Sequence, residues 1–317
     1  MMQTREILRT RQDVRQALRE IFNTRGFLEV DTPVLSREVL PEAQIDPLRL
    51  RPIDGQERFL QASPEAHMKR LLASGSGAIY QLAHAFRDGE RGPRHDIEFL
   101  LLEWYAPGTT LDDAAQLLEA ITTAVLGTLG LKRQTCQAAF AEFAQVDLAA
   151  ASASELQAAA VKAEVAFPES WVQEPSDARF DRFFELLLSE VVSPQLGHTT
   201  PVMLEAWPRS QSAFARIDPD NAAVARRFEL FYRGIELANG WEEETSATEL
   251  LTRLEHANSV RAADGRATLP IPQHVIAAHQ AAMPEGVGAA LGFDRLVMLA
   301  ANENSIDAVR CFSSDSA

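Results

Sequence analysis

QLAHAFRDGERGPRHDIEFLLLEWY, residues 81–105, decides how the chain is read: two apolar, strand-like runs flank a turn that gathers Arg87, Arg91, Arg94 and His95 among Gly89, Gly92 and Pro93. Apolar runs on either side of a Gly/Pro-rich turn are the pattern of an antiparallel hairpin. The whole chain carries a formal charge of −15, so this turn is a cationic island on an acidic protein, and the ligand chemistry that suits it is anionic.

Working outward, Ile7, Leu8, Val14, Leu18, Ile21 and Phe22 recur at helical spacing from Thr4 to Arg25, and Gly26 closes that segment as a C-terminal cap. GFLEVDTPVLS follows as an extended piece whose Pro33 cannot donate to a ladder and so suits a strand end or edge, a dimer edge being one use. Leu48 to Gln61 reads as a hairpin turning tightly at Asp54-Gly55. Ser63 is the expected N-cap of the next helix, with Pro64 at its first position and Glu65 in its first turn.

Beyond the central hairpin the pattern predicts a helix from Leu111 to about Leu129, alanine-rich peripheral helices from Ala138 to Ala166, and a helix from Ala178 to Val192. Val202 to Ala215 and Phe228 to Trp241 read as extended, and Ser246 to Val260 and Pro272 to Met283 as helices. GVGAALG is a strand leading into a helix with Asp294 and Arg295 in its first turn. No repeat or linker divides residues 1–317, so a single domain is expected. The hairpins favour an α+β fold, an antiparallel sheet flanked by helices, over a βαβ series.

With 46% hydrophobic residues the chain can bury a sizeable core, and 45 acids against 30 Lys and Arg argue against broad adhesion to nucleic acid. Cys136 and Cys311 form no CxxC pair and read as structural thiols. No apolar run reaches membrane-spanning length, and the opening MMQTREILRTRQDVRQ mixes acids with its arginines, so the expectation is a cytoplasmic protein with no membrane partner.

Several common constellations are missing. There is no GxxxxGK[ST] loop, no HExxH and no GxSxG elbow, and GVGAALG places its third glycine one residue too late for a dinucleotide fingerprint. His274 and His279 are five apart and do not stack on one helix face as zinc ligands would. Catalysis by position and electrostatics is the reading that remains. Arg87, at a strand end beside a polar loop, suits a phosphate fork or a surface arginine. Glu229 and Glu236 lie an odd seven residues apart in extended sequence, which places them on opposite faces of a regular strand unless Gly234 marks a bulge. On one face they suit Mg²⁺ shared with phosphate oxygens; otherwise they are solvated strand acids. Arg295 at a helix start suits either a nucleotide or a solvated cap.

Their order and company are more specific. Pro33 in GFLEVDTPVLS, Arg87 in FRDGERGPRHDIEFLLLEWY and Arg295 in GAALGFDRLVML resemble the three signature motifs of class II aminoacyl-tRNA synthetases, with the lysyl-tRNA synthetase core as the nearest match. SPEAHMKRL resembles that family's lysine-site helix and FELFYRGIELANGWEE its metal- and lysine-binding strand. The first-motif strand arrives about thirty residues from Met1, which leaves no room for an anticodon-binding barrel. The chain therefore resembles the truncated paralogues that attach a lysine-type amino acid, typically (R)-β-lysine, to a lysine of elongation factor P.

The resemblance implies an ATP-dependent, AMP-forming ligase with Mg²⁺, no tRNA substrate, and a homodimer. Position by position, it implies Arg87 on the α-phosphate and activated carboxylate, and Arg295 with Gly292 over the nucleotide. The loop Asp88, Gly89, Glu90, His95, Asp96 and Ile97 would hold ATP, with Phe99 and His95 framing adenine and Leu237 beside the nucleotide. Glu229 and Glu236 would hold Mg²⁺. Ser63, Pro64, Glu65, Tyr105, Asn239, Glu243 and Ala290 would line the amino-acid site, with Glu103 and Glu243 facing the side-chain ammonium, since a buried ammonium needs a paired carboxylate. Three positions depart from the family pattern. Gly89 stands where Arg-x-Glu has its acid, which falls here at Glu90; Asp96-Ile97 replaces Asn-Pro; Ala290 replaces a glycine, a methyl that fits an amino group displaced by one carbon. Two other readings share the motifs: a small-molecule amide ligase, disfavoured by Glu103 and Glu243, and a non-catalytic lysine-binding paralogue, disfavoured by retention of Arg87, Glu229, Glu236 and Arg295.

Overall fold

The apolar stripe near the N-terminus does what its spacing predicts. In the computed structural model, which describes residues 4–317, Thr4–Thr24 forms helix α1 and buries Ile7, Val14, Leu18 and Phe22. Leu8 falls off that stripe and is 54% exposed. Gly26 takes φ +77°, a left-handed conformation cheap only for glycine, and its amide and that of Phe27 return to the Asn23 and Phe22 carbonyls.

The elements that follow are β1 (Leu28–Glu29), β2 (Leu35–Ser36), β3 (Arg49–Leu50), β4 (Arg58–Leu60), α2 (Glu65–Ala73), β5 (Ile79–Phe86), β6 (Glu98–Pro107) and α3 (Leu111–Leu126). Next come β7 (Lys132–Thr135), α4 (Cys136–Ala139), α5 (Ala153–Lys162), α6 (Ser176–Leu187), β8 (Val202–Pro208), β9 (Val224–Tyr232) and β10 (Ile235–Glu242). The chain ends with α7 (Ala247–Ala263), α8 (Gln273–Ala282), β11 (Gly286–Gly292) and α9 (Phe293–Ala300). They divide into two units: one holds the chain up to Ala114 with Ala124–Gly127 and Glu243–Ala317, the other Ala115–Thr123 and Thr128–Glu242.

In the first unit the strand order is β1-β5-β6-β11, with β1 parallel to β5 and the remaining pairs antiparallel. The central hairpin of the sequence is β5-turn-β6, and Ile79↔Tyr105, Gln81↔Glu103 and Ala83↔Leu101 set its register. Met68 and Leu72 of α2 and Met283, just past the end of α8, join a core cluster with Ile79 and Tyr105. A small sheet, β2-β4-β3, lies in the same unit. Arg49↔Phe59 and Leu50↔Arg58 do form the expected hairpin there, but its loop runs from Arg51 to Glu57, so the tight turn at Asp54-Gly55 is only part of a longer connection.

The second unit orders its strands β10-β9-β8-β7, antiparallel except for the parallel β7/β8 pair. The alanine-rich region is not peripheral. Leu156 and Ala160 of α5 are fully buried with Phe140, Phe183, Phe184 and Leu187, and Phe140 stacks on Phe184 at 4.8 Å between ring centroids. Small side chains on α5 let α6 approach closely, which a count of alanines alone reads as a surface helix.

Two local expectations change. Pro64, not Ser63, is the N-cap of α2, and Ser63 sits one residue outside, accepting the Glu65 amide at 3.2 Å. Gly234 is no bulge: Arg233 (φ +53°) and Gly234 (φ +69°) form the two-residue turn of the β9/β10 hairpin, closed by Ile235↔Tyr232.

Candidate active site

On β6, Glu103 and Tyr105 are two apart and share a face, and directly across on β11 stand Ala290 and Gly288. Facing residues come from α2 and from the segment after β10. Glu65 and Lys69, one helical turn apart, lie on one side of α2, and the Lys69 ammonium bridges Glu65 Oε1 at 2.6 Å and Glu243 Oε2 at 2.8 Å. The Tyr105 hydroxyl donates to Glu103 Oε1 at 2.7 Å, while Glu103 Oε2 is buried with no hydrogen-bond partner. Lys69 is 1% exposed, Glu103 2% and Glu243 3%.

Glu65 and Glu243 therefore share the Lys69 ammonium, Glu103 is buried within reach of their charges, and the titrations follow. Burial and the neighbouring Glu65 charge push the Glu103 carboxyl well above its usual range, against the Tyr105 hydrogen bond and Lys69. Burial works to lower the Lys69 ammonium, yet Glu243 and Glu65 together raise it, so it stays charged. His279 of α8 donates Nδ1–H to the Val275 carbonyl at 2.9 Å, its Nε2 is buried without a partner, and burial with the Lys69 charge lowers it to about 4. It is neutral at physiological pH. Gly288 makes room for this packing: a Cβ there runs into Glu243 Oε1 and the Tyr105 ring.

The turn between β5 and β6 is shaped by its glycines. Gly89 takes φ +76°, a conformation that suits glycine, and the acid of this turn stands next to it at Glu90. Glu90 Oε1 then lies 3.7 Å from the Arg87 guanidinium, which also sits 5.1 Å from the centre of the Phe99 ring and within 3.5 Å of the Ala62 carbonyl. The Arg87 amide bonds the Ile97 carbonyl, and the Asp88 amide bonds the Asp46 carbonyl. Arg295, in the first turn of α9, donates to His95 Nε2 at 2.6 Å and to the Arg94 carbonyl at 3.2 Å, and it packs against Gly292. Asp294 holds that helix start by accepting from Arg11 at 2.6 Å and from the Leu100 amide at 2.9 Å. The cationic island is thus partly neutralised: Arg91 pairs with Asp307 and Asp315, both at 2.9 Å. Asp96, between that turn and β6, is buried as a whole residue.

The second unit carries Glu229, Glu236, Leu237 and Asn239. Glu236↔Phe231 and Ala238↔Leu230 leave Leu237 as an extra residue, so the bulge is at Leu237. Phe231 and Glu229 are two apart, and Asn239 lies directly opposite Glu229, so Glu229, Glu236 and Asn239 share one face. The expected juxtaposition exists, produced by a hairpin and a different bulge. Arg227 gathers it from beneath: its guanidinium binds Glu229 Oε1 at 2.6 Å, Asn239 Oδ1 at 3.3 Å and the Gln211 carbonyl at 2.7 Å, and it lies 4.0 Å from the Trp207 ring centre. Among the described residues no group of three or more His, Cys, Asp or Glu is disposed to hold a metal alone. Two hard carboxylates on one face fit Mg²⁺ completed by phosphate oxygens and water.

Lys69, Arg227 and His279 are the participants that reading the sequence overlooked. Glu65 to Lys69 at four residues and Arg227 to Glu229 at two were the signals available.

A strand-borne carboxylate pocket, an arginine at the base of a glycine-shaped hairpin and a second arginine at a helix start form the combination used by class II synthetases. The chain matches the family of class II tRNA synthetases (D, K and N) over residues 2–316, and it belongs to that family. It is 38% identical over 312 residues to the elongation factor P–(R)-β-lysine ligase of Edwardsiella ictaluri, spanning 97% of this chain and 94% of that protein. The ligase of the same name from Vibrio parahaemolyticus is also 38% identical over 312 residues, 97% and 95% of the two chains, and that from Klebsiella pneumoniae is 36% identical over 305 residues, 95% and 92%. No helix among the described residues is long and apolar enough to cross a membrane.

Proposed function

We propose that this protein is an ATP-dependent ligase that activates (R)-β-lysine, or lysine, as an acyl-adenylate and transfers it to a lysine ε-amine of elongation factor P. The observation that carries the reading is the buried set Glu65, Lys69, Glu103, Tyr105 and Glu243, three carboxylates against one resident ammonium. A diamino substrate supplies the missing positive charge, and Glu103 Oε2 is an acceptor awaiting it. The relatives named for this reaction extend over nearly the same length.

In the first step the amino acid's carboxylate oxygen attacks the α-phosphorus of ATP, forming the acyl–phosphate bond as the bond to pyrophosphate breaks. Arg87 neutralises charge developing on the α-phosphoryl oxygens, and Arg295 with His95 and Phe99 holds the nucleotide in line. Glu229 and Glu236 would hold Mg²⁺, which supplies charge neutralisation at the phosphates. In the second step the acceptor lysine's amine, as the free base, attacks the acyl carbonyl, expels AMP and loses a proton to leave an amide. No enzyme nucleophile is required. Residues 1–317 act in this reading as one catalytic domain, cytoplasmic, paired as a homodimer, and without a tRNA substrate.

The test is mass spectrometry of elongation factor P incubated with the purified chain, MgATP and either α- or β-lysine. The expected result is an adduct of one lysyl residue with at least one amino acid. No adduct with either sinks the reading, and amino-acid-dependent pyrophosphate exchange in the same mixture separates a small-molecule amide ligase from a lysine-binding protein without catalysis.

A further inference from the structure

The most visible departure from the family pattern, Asp96-Ile97 for Asn-Pro, has its counterpart near the other end of the chain. Asp96 is 1% exposed, and both of its oxygens are occupied. Oδ1 accepts the Ile97 amide at 2.8 Å and the Ser314 hydroxyl; Oδ2 accepts the Arg310 guanidinium at 2.5 Å and the Ser314 amide at 3.0 Å. Arg310 also donates to the Glu98 carbonyl at 2.9 Å, where β6 begins. From the same turn Arg91 reaches out to Asp307 and Asp315, each at 2.9 Å, with Asp96 Oδ1 3.8 Å away. The Ile306 amide bonds the Pro93 carbonyl at 2.9 Å, and Ile306 and Val309 are buried. Residues 306–315 thus hold the turn by the Ile306 backbone bond, the buried Arg310–Asp96 ion pair, the Ser314 hydroxyl and amide on Asp96, the Arg310 bond to the Glu98 carbonyl, and the exposed pairs of Arg91 with Asp307 and Asp315.

An asparagine at 96 offers one acceptor oxygen with two lone pairs and no charge, so it cannot accept all four of the hydrogen bonds that Asp96 takes from Ile97, Arg310 and Ser314. A proline at 97 fixes φ but has no N–H to give to the residue before it. Asp96-Ile97 exchanges proline's built-in stiffness for a local carboxylate–amide bond anchored by the distant arginine.

We propose that Asp96 and Arg310 are paired positioning residues for the nucleotide turn, with residues 306–315 acting as a strap that sets its shape in place of the family's Asn-Pro. The proposal rests on the reading of this turn as the ATP site. Arg91, with Asp307 and Asp315, adds a solvent-exposed outer clasp.

The experiment measures KM for ATP and for the amino acid separately by pyrophosphate exchange, alongside amide hydrogen exchange of residues 88–97. Arg310→Met and Asp96→Asn are each expected to raise KM for ATP about tenfold or more, leaving KM for the amino acid within about twofold, because one charge-assisted contact is lost at the turn alone. Their combination should be no worse than the poorer single change. Arg310→Lys should recover part of the loss, and Asp96→Asn with Ile97→Pro should recover ATP affinity by restoring the family's own solution. Ser314→Ala is the milder variant should the charge changes prevent folding. Equal losses for both substrates, additive single effects, or unchanged exchange of the turn's amides in Arg310→Met would overturn the proposal. If the wild-type chain shows no exchange with any amino acid, the enzymatic reading fails while the strap is still judged by the turn's amide protection.

Discussion

Lys69→Met removes the cation that bridges Glu65 and Glu243 and leaves the shape of the pocket nearly intact, since the replacement side chain is of similar length. Lys69 is 1% exposed and bridges Glu65 and Glu243 at 2.6 and 2.8 Å, with Glu103 in the same enclosure. Breaking a buried ion pair by deleting one partner costs about 3–5 kcal/mol, because the remaining charge stays desolvated. With an unfolding entropy of roughly 2.1 cal/mol/K per residue, a chain of 317 residues loses about 4.5–7.5 °C in melting temperature. The sign of the pH dependence follows from the same charges. Burial already holds the Glu103 carboxyl above its usual range and loss of Lys69 removes a charge that opposes this, so the penalty is full at pH values above the Glu103 folded-state range and fades as pH falls toward the ordinary carboxylate values. Thermal melts of wild type and variant at pH 8 and pH 5 therefore measure the effect, with Glu65→Gln in the Lys69→Met background expected to recover part of the loss at pH 8. A drop below about 1 °C at pH 8, or the same drop at both pH values, refutes the reasoning.

Three further outcomes can be checked on the proposed reaction. Gly288→Ala drives a methyl into Glu243 Oε1 and the Tyr105 ring, at a cost of about 1–3 kcal/mol, and should raise KM for the amino acid while sparing that for ATP; wild-type kinetics would show that the strand gives way freely. Glu103, whose burial beside Glu65 raises its pKa, keeps its proton in the free pocket above the usual carboxylate range and releases it to solvent when an ammonium arrives beside it. Amino-acid affinity should thus rise with pH up to the free-pocket pKa, with proton release seen by calorimetry in buffers of different ionisation enthalpy; Glu65, Glu243, Lys69, Tyr105 and His279 share that enclosure, and absence of proton release would contradict the assignment. Ala290, partly buried on β11 directly across from Glu103, should control where the amino group sits, so Ala290→Gly is expected to shift preference toward α-lysine by about tenfold; unchanged selectivity would show that the methyl does not place the amino group.

The sequence by itself determined what depends on neighbours within a few residues. The stripe Ile7, Val14, Leu18, Phe22 and the cap at Gly26 describe α1, and the two apolar runs around Arg87 to His95 describe the β5/β6 hairpin. Placing Glu103 and Tyr105 on one strand two residues apart already put both on one face. The tertiary structure decided the rest. Lys69 looks like a solvated lysine on an amphipathic helix until Glu243, far along the chain, closes over it. Glu229 and Glu236 share a face because a turn at Arg233-Gly234 and an extra residue at Leu237 set the pairing, and strand register is a property of two segments together. Asp96 reads as a turn residue near a nucleotide, and only the return of Arg310 and Ser314 makes it a buried anchor. Local propensity and alternation act over a turn or a strand, whereas a buried charge is tolerable only where the fold brings its counter-charge, which can come from any point in the chain.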